Sequence, residues 1–378
     1  MQLAQAVIRN PSTIAAELAR LQDARANLVL AFGTGQHLRA LAAHLPVAFP
    51  EARRAGCSTA GEVSAAGVTE DSCVVTAIRF EHTRLLQAST TLTSMDDSQA
   101  AGRRLATQLS PEGLRAILVF GQGVRINGSA LLVGVGEVLG SQVPISGGLA
   151  GDGDTFQETW VLDDHGARND SIVALGLYGE RLIFRHASFG GWSPFGPARK
   201  VTRCADNVLH ELDGEPALEV YKHYLGEYAK GLPASGLLFP FAMLGSDHRE
   251  TGLIRSILGV DEREGSLTLA GEIDPDGYLK LMHASTDALV GGAEAAADAV
   301  QQTLRSDRNG LALLVSCVGR KLVMGGRVEE EIEAVGAVFG RQALLAGFYS
   351  YGEIGPHTPA GSCRLHNQTM TVTWIGES

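Results

Sequence analysis

Several functional classes are excluded by what the chain lacks. Its five cysteines (Cys57, Cys73, Cys204, Cys317, Cys363) are odd in number and contain no Cys-x-x-Cys pair, so neither a disulfide framework nor a zinc ribbon is expected. Reduced thiols in a cytosol fit that usage. No basic excess exists: 31 Lys and Arg against 42 Asp and Glu leave a net charge of −11, which excludes a dedicated nucleic-acid binder. Apolar runs are short. Leu311 to Val315 is among the longest, far below the ~18 residues of a membrane span. Met1 to Asn10 has no basic segment leading into an apolar stretch, so no secretory signal is read and a cytoplasmic protein is expected. Glycine, by contrast, is abundant at 46 of 378 residues. The length allows two or three domains at ~150 residues each.

The glycines lie in a repeated unit. An apolar strand ending in a loop, Asn27-Leu-Val-Leu-Ala-Phe-Gly33, is followed by a helical stretch from Gln36 to Leu45, the tight segment Gly56-Cys-Ser-Thr-Ala-Gly-Glu62 and a β-rich run from Cys73 to Phe80. A second copy runs from Ala116-Ile-Leu-Val-Phe-Gly121 through a helix near Ser129–Leu139 to Ser146-Gly-Gly-Leu-Ala-Gly-Asp152 and a strand from Ser171 to Tyr178. A third begins at Leu311-Ala-Leu-Leu-Val-Ser-Cys317, passes the acidic helix start Glu329–Glu333, and reaches Gly347-Phe-Tyr-Ser-Tyr-Gly-Glu353 and a strand from Met370 to Ile375. Each copy is strand, crossing helix and glycine turn ending in a carboxylate, the pattern of a repeat architecture.

Between the second and third copies lies a different region. It holds the aromatic loop Gly190–Gly196, a helix from Glu215 to Leu225, and four short strand candidates: Leu237–Leu244, Ile254–Val260, Ser266–Ala270 and Tyr278–Met282. An alanine-rich helix, Ala288–Leu304, follows. The fold class is therefore α/β with α+β character: two packed halves built from strand-helix-strand units, with helices covering mixed and antiparallel sheets.

Standard catalytic templates do not match. Gly134-x-Gly136-x-x-x-Gly140 has the wrong third spacing for a dinucleotide loop, Gly33-Thr-Gly35 lacks the Lys-Ser/Thr ending of a phosphate loop, and Gly56-x-Ser58-x-x-Gly61 is not spaced as a nucleophile elbow. Two histidines are better placed for chemistry. His186 ends a strand beside Phe189, Trp192 and Phe195, and His366 lies three residues after Cys363 in a run continued by Asn367 and Gln368. A neutral imidazole can hold metal or haem iron; each can equally be a buried hydrogen-bonding residue. Arg320 is a candidate anion anchor or a plain surface arginine.

The segments Gly56–Glu62, Gly147–Asp152, Gly191–Gly196, Ser316–Arg320, Gly347–Glu353 and Leu365–Thr371 together resemble the FIST sensory domain family, in that family's order and over nearly the whole chain. The resemblance implies a FIST N-terminal domain over 27–219 and a FIST C-terminal domain over 220–360, with 361–378 as its closing strand. It implies a cytoplasmic bacterial small-ligand sensor rather than an enzyme, similar to the stand-alone nitric-oxide-sensing haemoproteins that regulate a partner histidine kinase, diguanylate cyclase or phosphodiesterase. On that reading haem is the cofactor, with His186 the first and His366 the second choice as iron ligand, and Trp192, Phe195 and Tyr351 as pocket walls. A homodimer is compatible with it; nucleic-acid and membrane partners are not expected. The alternatives are an amino-acid-like metabolite held by Arg320 and the glycine-carboxylate turns, and a hydrolase using Ser58 or Cys317 with His366 as base.

Overall fold

A computed structural model describes residues 1–304, 309–356 and 363–378; the expected end of the second segment, at 360, lies outside the described residues. The three-copy repeat organises the chain, and each copy is longer than its sequence signature. A copy opens on an antiparallel strand (Gln2–Ile8, Arg84–Thr91, Leu182–Phe189) and a covering helix (Ile14–Leu21, Ser98–Ala106, Thr286–Gln301). Its central strand follows (Leu28–Gly33, Leu114–Gly121, Gly310–Cys317), then the crossing helix: Gly35–Ala48, Gly128–Leu139, or the pair Val318–Met324 and Glu329–Phe339. The crossing returns the chain to a strand parallel to the central one (Arg53–Ser58, Ile145–Leu149, Ala343–Ser350), as a parallel connection requires.

A short hairpin comes next, and it leaves its own sheet. The first copy's hairpin (Glu62–Ser64, Gly67–Thr69) pairs with the third copy's parallel strand. The second copy's (Val161–Asp163, Gly166–Arg168) pairs with the first copy's, and the third copy's (Gly352–Pro356, Cys363–His366) with the second copy's. The closing strands (Cys73–Arg79, Ser171–Tyr178, Met370–Glu377) then return to their own sheets. The exchange forms a ring, sealed by three equivalent backbone bonds: Ala60 N–H to Tyr349 O at 2.8 Å, Gly151 N–H to Ser58 O at 2.9 Å and Tyr351 N–H to Leu149 O at 3.1 Å. Three mixed six-stranded sheets are linked around this pseudo-three-fold ring. The mixed α/β character is as expected from sequence.

Close packing explains the glycines at the start of each turn. A Cβ at Gly56 or Gly347 would stand 1.8 Å from the carbonyl oxygen of the neighbouring central strand, at Ala31 or Leu314. Phe32, Phe120 and Phe348 meet inside the ring, with Phe32 stacked on Phe348 at 4.7 Å. Phe348→Leu should therefore cost about 1–2 kcal/mol, the loss of aromatic pairing plus imperfect refilling; urea denaturation measures it.

The distinct region is an insertion at 190–285, between the third copy's first strand and its covering helix. Its strands Phe241–Leu244, Glu250–Arg255, Ile257–Asp261, Ser266–Leu269 and Tyr278–His283 form an antiparallel sheet with Arg199–Ala205 and Val208–Leu212. Helix Ala217–Leu225 buries Leu218 and Tyr221 against it.

Candidate functional site

The histidines, aromatics and arginine singled out from sequence are scattered, while two of the glycine-turn carboxylates, Glu62 and Asp152, line a common cavity of about 600 Å³. Arg320 is fully buried and ion-paired with Glu331 at 2.7 Å. Its remaining donors go to Leu289 O at 2.8 Å and to Gly190 O. Its charge is thus paired inside the core, and it is no surface residue. The glycine-turn carboxylates are likewise engaged. Glu62 accepts from Thr59 Oγ1 and Ser72 Oγ, and Glu353 from Ser350 Oγ and from Thr369 N–H and Oγ1. Burial raises their carboxyls to about 7 and about 8 respectively. At Asp152 burial also pushes upward, but hydrogen bonds from Thr155, Tyr351 and the backbone of Gln157 and Glu158 hold it below its ordinary value.

The proposed haem residues do not share a chamber. His186 sits opposite Thr373 in an antiparallel pair, edge-on to Phe184; its Nδ1 has no partner among the described residues, and burial lowers it to about 4. His366 lies opposite Glu353 in the hairpin, with Nε2 3.3 Å from Gly355 O. Trp192 Nε1 donates to Gln368 O, Phe195 packs edge-on to Phe239 and His283, and Tyr351 stacks on Phe156 while donating to Asp152. The structure does not bring this set around one cavity, and each side chain lies in a separate local environment. The hydrolase candidates are no better placed. Ser58 Oγ donates to Gly151 O and accepts from Trp160 N–H. The Cys317 thiol is buried, which raises its pKa well beyond that of a ready nucleophile.

A cavity of about 540 Å³ lies instead on the seam between the second copy's crossing helix, the inserted sheet and the third copy's hairpin strand. None of the six residues named above for ligand or haem lines it. Its floor is Arg255, only 3% exposed. The guanidinium makes three long bonds, all at 3.4 Å and all to backbone carbonyls, of Ile254, Glu272 and Leu365. Nη2 makes none, and no ion pair forms, among the described residues. Burial lowers its pKa to about 10; Glu272 opposes that shift and Arg364 adds to it. Nearly every buried arginine needs an anion. This one lines an open cavity and, among the described residues, forms no ion pair, Glu272 of the same cavity acting on it only at longer range.

Arg255 went unnoticed because a lone arginine in Thr251-Gly-Leu-Ile-Arg-Ser256 matches no motif. One signal was present: Leu253, Arg255 and Ile257 are all buried, so the arginine stands at an inward position of a two-residue alternation.

Comparison with known proteins adds the family. The FIST N domain matches residues 27–215, and the FIST C domain matches 217–356. An uncharacterized protein of Methanocaldococcus jannaschii is 33% identical over 96 residues, 25% of this chain and 19% of that protein, so the match spans about a fifth of the relative's length. A crystal structure of the cyanuric acid hydrolase from A. caulinodans aligns over 99% of this chain and 98% of that one, at a TM-score of 0.37 and 11% identity. The two domain matches together cover most of the chain, which therefore belongs to the FIST family of small-ligand sensory domains.

Proposed function

We propose that this chain senses a small carboxylate-bearing metabolite in the seam cavity. The observation that supports it is Arg255, a buried guanidinium lining that space which, among the described residues, forms no ion pair and leaves Nη2 without a hydrogen bond. A carboxylate there would accept charge-assisted hydrogen bonds in a low-dielectric setting. The cavity walls come from the inserted sheet and from two repeat copies, so an occupant bridges them and favours one arrangement of insertion and ring. The response would pass to a partner, a histidine kinase or a cyclic-di-GMP enzyme, through protein contact.

A thermal-shift screen of carboxylates tests the reading. A ligand at a hundred times its Kd should stabilise the native state by about 2.7 kcal/mol, and Arg255→Met should erase that shift while leaving the ligand-free melting point near or above that of the parent. Hemin titration is the competing arm: a Soret band that disappears in His186→Ala, with no carboxylate response, would overturn the proposal in favour of haem and nitric oxide.

A further inference from the structure

Within the seam cavity, and resting on the carboxylate reading above, the charged residues differ in exposure: Arg255 is buried among apolar side chains, whereas Glu272 and Arg364 are exposed. The floor is Arg255. Above it, the walls are apolar: Leu132, Ile145, Met243, Leu253, Ile273 and Leu365. Asp274 is half-buried, with its Oδ1 accepting from Asp276 N–H to close a turn. We infer that the ligand is a monocarboxylate with an apolar body, inserted head-first so that its carboxylate meets Arg255 and its hydrocarbon lies along the walls.

The same layout disfavours two neighbouring classes. An α-amino acid would carry its ammonium to the floor beside its carboxylate, where the acceptors are the three carbonyls already turned to the guanidinium. A buried ammonium without a carboxylate partner is strongly penalised. A dicarboxylate would leave its second charge among the apolar walls or stretch it past Glu272 at the mouth. A single anionic head with a hydrocarbon tail leaves neither problem, and about 540 Å³ falls within the size range of small-molecule pockets.

Isothermal titration of the full chain with butanoate, hexanoate and octanoate, beside leucine, glutarate and octan-1-ol, tests the inference. Affinity should rise about fourfold for each methylene that becomes buried, with one site per chain, and octanoate should bind at least tenfold tighter than leucine, glutarate or octanol. Arg255→Met should lose octanoate binding. Because a floor variant can disturb the fold, Val133→Glu serves as a second: Val133 lines the cavity yet is 52% exposed, so an added negative charge there should weaken octanoate about tenfold without moving the ligand-free melting point. Leucine or glutarate binding more tightly than octanoate, an affinity flat with chain length, or octanol binding as well as octanoate would overturn the head-first apolar acid. Failure of every carboxylate would overturn the underlying carboxylate reading as well.

Discussion

Arg320→Met should destabilise the protein by about 3–5 kcal/mol, the usual cost of removing one partner from a buried ion pair. Glu331 would remain fully buried, holding Ser316 Oγ at 2.9 Å and Tyr349 Oη at 2.6 Å but no cation. The variant also frees Leu289 O and Gly190 O. Those two carbonyls lie where the chain enters the insertion and just after it re-enters the third copy, so the loss should be felt at both crossings. The double variant Arg320→Met/Glu331→Met should recover more than half of the loss, since it removes the stranded charge. Urea denaturation of the three proteins decides it; a single-variant loss below about 1 kcal/mol would show that the pair is not needed to hold the insertion to the ring.

Stability should fall as pH rises toward 8, and Glu353→Gln should remove part of that slope. Burial raises the Glu353 carboxyl to about 8 from an ordinary 4.5. Between those values the unfolded chain has released this proton while the folded chain retains it, so unfolding becomes easier by up to about 1.4 kcal/mol per pH unit. Glu62 acts in the same direction up to about 7. The slopes of parent and variant should therefore differ most between about pH 6 and 7, and the difference should shrink as pH approaches and passes 8, where Glu353 itself ionises in the folded chain. Its amide oxygen can accept from Thr369 N–H while its NH2 faces Ser350 Oγ, so the turn is preserved. Parallel stability profiles for parent and variant across pH 6–8 would contradict the assignment.

The repeat was readable in the sequence because each element in it obeys a local rule. Leu311–Cys317 has no polar residue before Ser316, the mark of a strand covered on both faces, and it is one. Gly147 and Gly347 announced close backbone approach, and they sit against Val119 O and Leu314 O. The insertion was legible only in part: Ser266–Ala270 and Tyr278–Met282 are strands and Asp274-Pro-Asp-Gly277 is a turn whose Gly277 N–H bonds back to Asp274 O, but Leu237–Leu244 opens in a helical turn and becomes a strand only at Phe241, and Ile254–Val260 straddles the break between two strands.

The site was another matter. His186, His366 and Arg320 drew notice because imidazole and guanidinium are functional groups in general, yet their use depends on what stands across from them. Arg320 and Arg255 are both buried arginines, yet one follows Gly319 and precedes Lys321 while the other lies between Ile254 and Ser256, and neither context announces the pairing. One meets Glu331, eleven residues ahead and carried in by a crossing helix; the other meets a void that its own insertion forms only together with residues 129–145 and 363–365, more than a hundred positions away. Periodicity, turn chemistry and glycine placement are short-range properties, and they were enough for strands, helices and their threefold recurrence. Whether a buried charge is paired or left open is a long-range property, set by the hairpin exchange around the axis and the docking of the insertion, and no local pattern encodes it.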